Sequence, residues 1–277
     1  MLLTIDAGNT NTVFALIDHT EIVEQWRIST GDQRTADEYK VWLANLMSMA
    51  GRKPSAIKGA IIASVVPQVT WPLNQLCRDF VGCVPLVVGK ENVDLGIEVK
   101  LPNPAEVGAD RLVNAVAANQ LYGGPVVIID FGTATTFDVV GGDGSYLGGI
   151  ICPGINLSLS ALHQAAAKLP RIAIAPPKSK VVTGKSTLEA MQSGIFWGYL
   201  AMIEGLTDRL KAEHGGDVKV IATGGLAPIF AGQTTAIDVV SGDLTLVGLR
   251  MIYDRNKPKS TTQEALDVLA AAESQSA

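Results

Sequence analysis

The stretch Asp6-Ala7-Gly8-Asn9-Thr10-Asn11-Thr12 lies between two apolar, β-prone runs, residues 2–5 and 13–17. Two such runs joined by a short turn rich in Gly, Asn and Thr predict a β-hairpin at the start of the chain. Gly8 lets the backbone approach a ligand closely, and a tight turn beside the Asp6 carboxylate suits a phosphate chain with its Mg²⁺. Taken alone, the stretch is explained more simply as ordinary turn chemistry.

A second copy of this motif occurs near the middle of the chain. The apolar residues 126–129 lead into Asp130-Phe131-Gly132-Thr133-Ala134-Thr135-Thr136, and residues 137–140 are again largely apolar. The two copies align in three pairs, Asp6 with Asp130, Gly8 with Gly132 and Thr12 with Thr136. An internal repeat of this kind indicates a duplicated architecture, and it favours a functional interpretation of both turns.

The bulk properties of the chain limit the possible classes of protein. Its 277 residues suit two domains of ordinary size, and 47% hydrophobic with 18% charged residues indicates a soluble protein with a large core. A net charge of −5 and the absence of a Lys/Arg cluster argue against nucleic acid as a partner. Three cysteines without CxxC spacing indicate reduced thiols, and three scattered histidines argue against a zinc site.

Targeting and membrane signals are absent from the sequence. The apolar N-terminal residues have no basic region before them and are interrupted by Asp6, unlike a signal peptide. The most apolar stretch, residues 195–203, contains Gly198 and precedes Glu204, which predicts a buried helix and not a membrane span. We therefore expect a cytoplasmic protein with no membrane partner.

The first half of the chain is predicted to form three antiparallel strands followed by mixed helices and strands. Thr35 and Glu38 form the sequence pattern of a capping box, which predicts a helix from there to about residue 50. Residues 90–107 are polar and predict a surface loop. The other predicted elements are a third strand over Glu21–Ser29, strands over 59–66 and 84–88, and helices over 70–80 and about 110–121.

The second half starts the same pattern again, which predicts an α/β protein with a duplicated sheet and a cleft between the halves. We place the domains at residues 1–120 and 121–255, with a polar tail over 256–277. The predicted elements are strands over 126–130, 137–140, 146–151 and 218–222, a helix ending near 168, a long helix over 186–212 and a short helix after 225, with a weak helical pattern over 265–272.

Two phosphate-binding turns facing each other across a cleft would hold a nucleotide from both sides. Thr223-Gly224-Gly225, after a predicted strand, would let the backbone approach the adenosine, and Asp6 and Asp130 could hold cations against the phosphates. Transfer to an alcohol also needs a carboxylate near the hydroxyl. Asp110 is the candidate, with Arg111 beside it for an anionic group, although a capping acid and a surface ion pair explain these two residues equally well.

Two other nucleotide motifs fail on inspection of their spacing. Gly184-Lys185-Ser186 has the end of a P-loop, but Ser179 stands where the first glycine is required. Gly142 and Gly144 begin a dinucleotide fingerprint, but Leu147 replaces its third glycine and no helix is predicted to follow.

Together, the motifs resemble the acetate and sugar kinase/Hsp70/actin superfamily, and within it the chain is similar to the type III pantothenate kinases. The matching segments follow the family's order over roughly residues 1–250, and they are 6–11, 64–67, 103–104 with 107–111, 130–135, 148–154, 184–187, 193–194 and 223–225. The resemblance implies duplicated actin-like ATPase (ribonuclease H-like) domains with mixed sheets around an interdomain cleft.

The resemblance also implies an activity, which is ATP-dependent phosphorylation of pantothenate to 4′-phosphopantothenate, the first step of coenzyme A biosynthesis. It implies Asp110 as the proton acceptor, Asp6 near Mg²⁺ and Asp130 on a monovalent cation, K⁺ or NH₄⁺. The ATP-binding residues are expected to be Asp6, Ala7, Gly8, Asn9, Thr10, Asn11, Thr12, Val13, Gly132, Thr133, Gly224 and Gly225. The substrate-binding residues are expected to be Gly108, Ala109, Asp110, Arg111, Leu101 and Thr187. The family's homodimeric assembly implies that a partner chain supplies some contacts.

Some expectations remain open at this point. Many family members have Tyr where this chain has Leu101, which affects the expected affinity more than the identity of the substrate. A position in the first turn of a helix predicts a lowered pKa for Asp110. The alternatives are a nucleotide-switched binding or accessory regulatory protein of the actin/Hsp70 type, and a kinase of a sugar or another small alcohol.

Overall fold

The computed structural model describes residues 1–165, 170, 172–177 and 181–257. The weak helical pattern over 265–272, most of the tail over 256–277 and the end of the helix near 168 therefore lie outside the described residues. No helix in the described part of the chain is long and apolar enough to cross a membrane.

The first sheet combines an antiparallel meander with two parallel strands. Its strands are β1 (Leu2–Ala7), β2 (Asn11–Asp18), β3 (Glu21–Ser29), β4 (Gly59–Ser64) and β5 (Leu86–Val87). They lie in the order β3-β2-β1-β4-β5, with β1 antiparallel to β2 and parallel to β4. Only two residues of the strand predicted over 84–88 pair in the sheet.

The second sheet has the same arrangement. Its strands are β6 (Val126–Phe131), β7 (Ala134–Val140), β8 (Tyr146–Pro153), β9 (Lys219–Thr223) and β10 (Val239–Val240). Their order is β10-β9-β6-β7-β8, with β6 antiparallel to β7 and parallel to β9. The predicted α/β class and the duplicated mixed sheet are confirmed, and β10 is a strand that the sequence pattern did not indicate.

The two repeated hairpins differ by one residue in their turns. Thr12 pairs with Ala7 in the first hairpin, whereas Thr135 pairs with Phe131 in the second. Thr12 and Thr135 are both buried, and Thr136 is only partly buried. The alignment of Thr12 with Thr136 is therefore wrong in space, because the second turn is shorter and its structural equivalent is Thr135.

Seven α-helices surround the sheets in the described residues. They are α1 (Ala36–Met49), α2 (Pro67–Leu76), α3 (Ala109–Tyr122), α4 (Ile155–Ala165), α5 (Thr187–His214), α6 (Ala227–Ala231) and α7 (Leu244–Arg255). The capping box is confirmed, since Glu38 N donates to Thr35 Oγ1 and Thr35 N donates to Glu38 Oε2. Helix α2 begins three residues before the predicted 70, because Pro67 fits the first helical position.

Helix α3 packs against both sheets at once. Val113 and Val116 belong to an apolar cluster with α7 and with β1 and β4 of the first sheet. Leu112 and Ala115 belong to another cluster, with β6, β7 and β9 of the second sheet. Helix α7 comes so close that a methyl group on its Gly248 would lie 2.3 Å from Val113 O. This packing fixes the N-terminal turns of α3 at the junction between the halves.

Candidate active site

A cleft of about 660 Å³ lies between the two sheets. Its walls come from both repeated turns, the start of α3, the turn after β9, and the starts of α4 and α7. The predicted ATP-binding residues that line it are Asp6, Gly8, Asn9, Thr10, Asn11, Val13, Gly132, Thr133, Gly224 and Gly225. Ala7 and Thr12 are buried behind this surface.

The first turn is held in shape by Thr30, the residue after β3. Thr30 Oγ1 donates to Gly8 O at 2.7 Å, and Thr30 N donates to Thr10 O at 2.9 Å. The hydroxyl of the buried Thr12 lies 2.9 Å from that of Thr30. Thr12 therefore stabilises the turn from its buried side, and the side chains of residues 9–11 face the cleft.

The second turn meets the first turn across the cleft. Thr133 Oγ1 lies 2.7 Å from Thr10 Oγ1, so one hydrogen bond joins the two turns directly. Gly224 adopts a φ of +89°, and a methyl group there would lie 2.7 Å from Phe131 O and 2.8 Å from Asp130 Oδ1. Glycine is therefore required for the turn after β9 to approach the second turn.

Four aspartates line this cleft, Asp6, Asp110, Asp130 and Asp243, and the first three influence one another electrostatically. Burial, followed by the negative charges of Asp110 and Asp130, raises the pKa of Asp6 to about 7, while the charge of Arg27 acts to lower it. Burial and the charge of Asp110 likewise raise the pKa of Asp130 to about 7, against a lowering by the amide of Asn114. Carboxylates destabilised in this way fit a cationic ligand, because a nearby cation stabilises their charged forms.

These carboxyl groups do not form a closed metal cage. Among the described residues, no three His, Cys, Asp or Glu side chains converge closely enough to hold a metal ion by themselves. A cation in this cleft would therefore take further ligands from phosphate oxygens and water, as Mg²⁺ in kinases usually does.

Asp110 lies in the first turn of α3 and faces the cleft. Its Oδ1 accepts a hydrogen bond from Arg111 N at 2.8 Å. The expectation of a lowered pKa was wrong, because burial raises the pKa of this carboxyl more than that hydrogen bond and the charge of Arg111 lower it. A raised pKa makes Asp110 a stronger base when it is ionised.

Arg111 points away from the cleft wall into a buried polar group. Its Nε donates to Asp138 Oδ1 at 2.7 Å, and the fully buried Asp138 also accepts from Tyr146 OH and Thr136 Oγ1. The guanidinium carbon lies 5.9 Å from the centre of the Tyr146 ring. Arg111 is thus neither the surface ion pair nor the cleft contact that the sequence suggested.

The other predicted substrate residues lie away from the cleft surface. Gly108 precedes α3 and Ala109 is its buried first residue, while Leu101 packs against an apolar cluster of the second half. Thr187 is exposed at the start of α5. Asp110 is the one member of this set that lines the cleft of a single chain.

Sequence reasoning missed several polar side chains of the site. Asn114, 1% exposed, donates from Nδ2 to Asp130 Oδ2 at 3.0 Å and accepts from Thr245 Oγ1 at 2.7 Å. Arg27 of β3 is the only cationic side chain that lines the cleft in the described part of the chain. Asn114 carried a signal that could have been used, since it is a polar residue on the apolar face of α3, one turn after Asp110.

A family model described as type III pantothenate kinase matches residues 2–209. The chain belongs to the type III pantothenate kinase family. This finding confirms the resemblance that the sequence motifs indicated.

Relatives that carry the name type III pantothenate kinase match nearly the whole chain. The protein of that name from Paramagnetospirillum magneticum is 59% identical over 256 residues, which are 92% of this chain and 98% of the relative. Those from Caulobacter vibrioides and Rhodospirillum rubrum are 56% and 55% identical, with 92% and 93% of this chain covered and 98% and 100% of theirs.

Solved structures with low sequence identity share the fold. The activator of the 2-hydroxyisocaproyl-CoA dehydratase from Clostridium difficile, solved with bound ADPNP, has a TM-score of 0.51 at 12% identity and covers 94% of this chain and 99% of its own. The ethanolamine utilization protein EutJ from Carboxydothermus hydrogenoformans has a TM-score of 0.54 at 13% identity, with 90% and 89% covered. The chain therefore has the expected actin-like ATPase fold.

Proposed function

We propose that this protein transfers the terminal phosphoryl group of ATP to pantothenate and forms 4′-phosphopantothenate and ADP, the first step of coenzyme A biosynthesis. The observation that carries this proposal is the 59% identity, over 92% of the chain, to a relative named type III pantothenate kinase. The geometry of the cleft supports it, because two phosphate-sized turns and a buried carboxylate face one space.

The two repeated turns hold the phosphates of the nucleotide. Gly8 to Asn11 line the cleft from the first sheet, and Gly132 and Thr133 line it from the second. Gly224 and the exposed Gly225 line the cleft beside them and offer backbone for the adenosine part. Phosphoryl transfer depends mainly on positioning and charge neutralisation, which backbone donors from two sides provide.

Asp6 and Asp130 hold the cations of the reaction in this proposal, Mg²⁺ at Asp6 and K⁺ or NH₄⁺ at Asp130. When bound, such cations neutralise charge on the phosphates. The raised pKa values of both carboxyl groups and the donor Asn114 beside Asp130 support these assignments. Asp130→Ala is expected to abolish the stimulation by K⁺. A K⁺ response equal to that of the wild type would refute the assignment of Asp130.

Asp110 accepts the proton of the pantothenate hydroxyl. Its backbone neighbour Arg111 fixes the carboxylate through the N–H bond to Oδ1, which leaves Oδ2 for the acceptor. When it is ionised, a carboxylate whose pKa is raised removes a proton more effectively than an ordinary aspartate.

The proposed assembly is a cytoplasmic homodimer. The predicted substrate residues Leu101, Arg111 and Thr187 do not line the cleft of one chain, which supports a second chain completing the pantothenate pocket. The dimer is tested by size-exclusion chromatography with light scattering, which should give twice the chain mass of 29.1 kDa. A monomer with full activity would contradict it.

The activity is tested by ADP release from MgATP with and without pantothenate, in K⁺ and in Na⁺ buffer. We expect release that depends on pantothenate and is faster in K⁺. ADP release that pantothenate does not change, or release only with a sugar or another small alcohol, would overturn the proposal.

A further inference from the structure

Arg27 is a positive charge in a cleft that otherwise carries carboxylates. It lies in β3, is exposed, and lines the same space as Asp6, Asp110 and Asp130. Within the described part of the chain it forms no hydrogen bond and no ion pair. An Arg that is exposed on a cleft wall and forms neither a hydrogen bond nor an ion pair is available to a ligand.

The strand register places Arg27 in line with Asp6. Asp6 lies opposite Val13 on β1 and β2, and Val13 lies opposite Arg27 on β2 and β3. Residues directly opposite one another project from the same face of a sheet. Asp6, Val13 and Arg27 therefore form one row across three strands, and all three line the cleft.

The backbone around Arg27 is fixed on its other face and at its end. Trp26 and Ile28, which point to the opposite side of β3, pack against the apolar core of the first sheet. Thr30, three residues after Arg27, holds the phosphate turn through Gly8 O and Thr10 O. Arg27 is thus positioned by the same strand that positions the turn.

We propose that Arg27 binds an oxygen of the phosphoryl group that is transferred, the terminal phosphate of the nucleotide. This inference rests on the proposed kinase activity at the cleft. A guanidinium forms bidentate hydrogen bonds with phosphate oxygens, and it remains charged at every relevant pH. It offsets the repulsion between the carboxylates of the cleft and a polyanion, and it stabilises charge on the phosphoryl group in the transition state.

The proposal is tested by nucleotide binding in Mg²⁺ without an acceptor, with ADP and a non-hydrolysable ATP analogue titrated into the full-length protein by calorimetry. Arg27→Gln should weaken binding of the ATP analogue by about tenfold or more, the effect of one lost charge-assisted hydrogen bond. It should change ADP binding by less than about twofold in the same comparison. The affinity of Arg27→Lys for the ATP analogue should lie between those of the wild type and Arg27→Gln, because lysine keeps the positive charge but cannot form the bidentate hydrogen bonds of a guanidinium.

Lys40→Gln is the matched control, because Lys40 is an exposed cation on α1 that does not line the cleft. It should leave both affinities unchanged. An equal loss for ADP and the ATP analogue, or no loss for either, would overturn the inference. A third outcome would also overturn it, in which Arg27→Gln leaves both nucleotide affinities unchanged and raises the KM for pantothenate. If that increase in KM is not seen with an analogue whose carboxylate is replaced by an amide, Arg27 binds the acceptor and not the nucleotide. If Arg27→Gln weakens binding of the ATP analogue selectively, but the wild type does not phosphorylate pantothenate, the proposed substrate is rejected and the role of Arg27 at the phosphate is kept.

Discussion

Asp6, Asp110 and Asp130 bring three carboxyl groups from β1, α3 and β6 into one cleft. Burial is the largest cause of the raised pKa in each of them. A carboxyl with a raised pKa in the folded state binds more protons there than in the unfolded chain. The stabilising contribution of Asp6 and Asp130 is therefore present at low pH and is lost as the pH rises from about 4 through about 7.

Asp6→Asn and Asp130→Asn should each raise the melting temperature of the ligand-free protein at pH 8 and change it little at pH 5. At pH 8 each substitution removes a destabilised charge, whereas at pH 5 the native carboxyl is already protonated. Differential scanning calorimetry at the two pH values measures the difference. Glu21→Gln, at an exposed position outside the cleft, is the control. A gain of equal size at both pH values would contradict the burial argument.

Asp110→Asn should lower kcat by about 10²–10⁴-fold, the usual range for loss of a general base. The fold should persist, because asparagine has the same shape and keeps an oxygen for the Arg111 N–H bond. Steady-state kinetics with a melting curve separates the two effects. The exposed acid Glu106, changed to Gln, serves as the control. A variant that keeps more than a tenth of the wild-type kcat, a loss below roughly 1.4 kcal/mol, would remove Asp110 from the role of base.

At the scale of elements, α3 links the two halves and turns one of its faces toward the cleft. Asp110 and Asn114 are one helical turn apart, so they lie on the same face, and both reach the region of Asp130. The buried clusters on either side of α3 hold this face in place. The close contact between α3 and α7 at Gly248 is therefore a structural requirement of the site.

Gly248→Ala should destabilise the protein by about 1–3 kcal/mol, the usual range for overpacking, because the added methyl group overlaps the backbone oxygen of Val113. Gly205→Ala is the matched control on α5, where the glycine is exposed and a methyl group meets nothing within 4 Å. This control should stabilise by up to about 1 kcal/mol, because alanine is the better helix former. Urea unfolding measures both, and equal effects would contradict the packing argument.

The elements differ in how well the sequence predicts them. The repeated hairpins were predictable because apolar runs flank Gly-containing turns, and α1 because Thr35 and Glu38 cap it. Local patterns could not indicate that Arg27 faces a cleft. In an alternating strand the pattern shows only that a residue lies on the polar face, and the cleft exists only because the second sheet lies opposite that face. The raised pKa of Asp110 was missed for a similar reason, because burial depends on how α3 packs between the sheets.

At the scale of the whole molecule, the two similar halves meet at matching turns. The hydrogen bond between Thr10 and Thr133 joins them at the cleft, while α3 and α7 join them in the core. A duplicated unit of this kind can hold a polyanion from both sides, which neither half could do alone. The domain limits at residues 120 and 255 stay a prediction, and α7 packs on β1 and β4 of the first half.

The central claim is that this cleft transfers a phosphoryl group from ATP to pantothenate. The most direct measurement is mass spectrometry of the products after incubation of the protein with MgATP and pantothenate in K⁺. We predict 4′-phosphopantothenate and ADP in equal amounts from the wild type, and at least about a hundredfold less of both from Asp110→Asn in the same time. ADP without a phosphorylated pantothenate, or equal product from both proteins, would contradict the account.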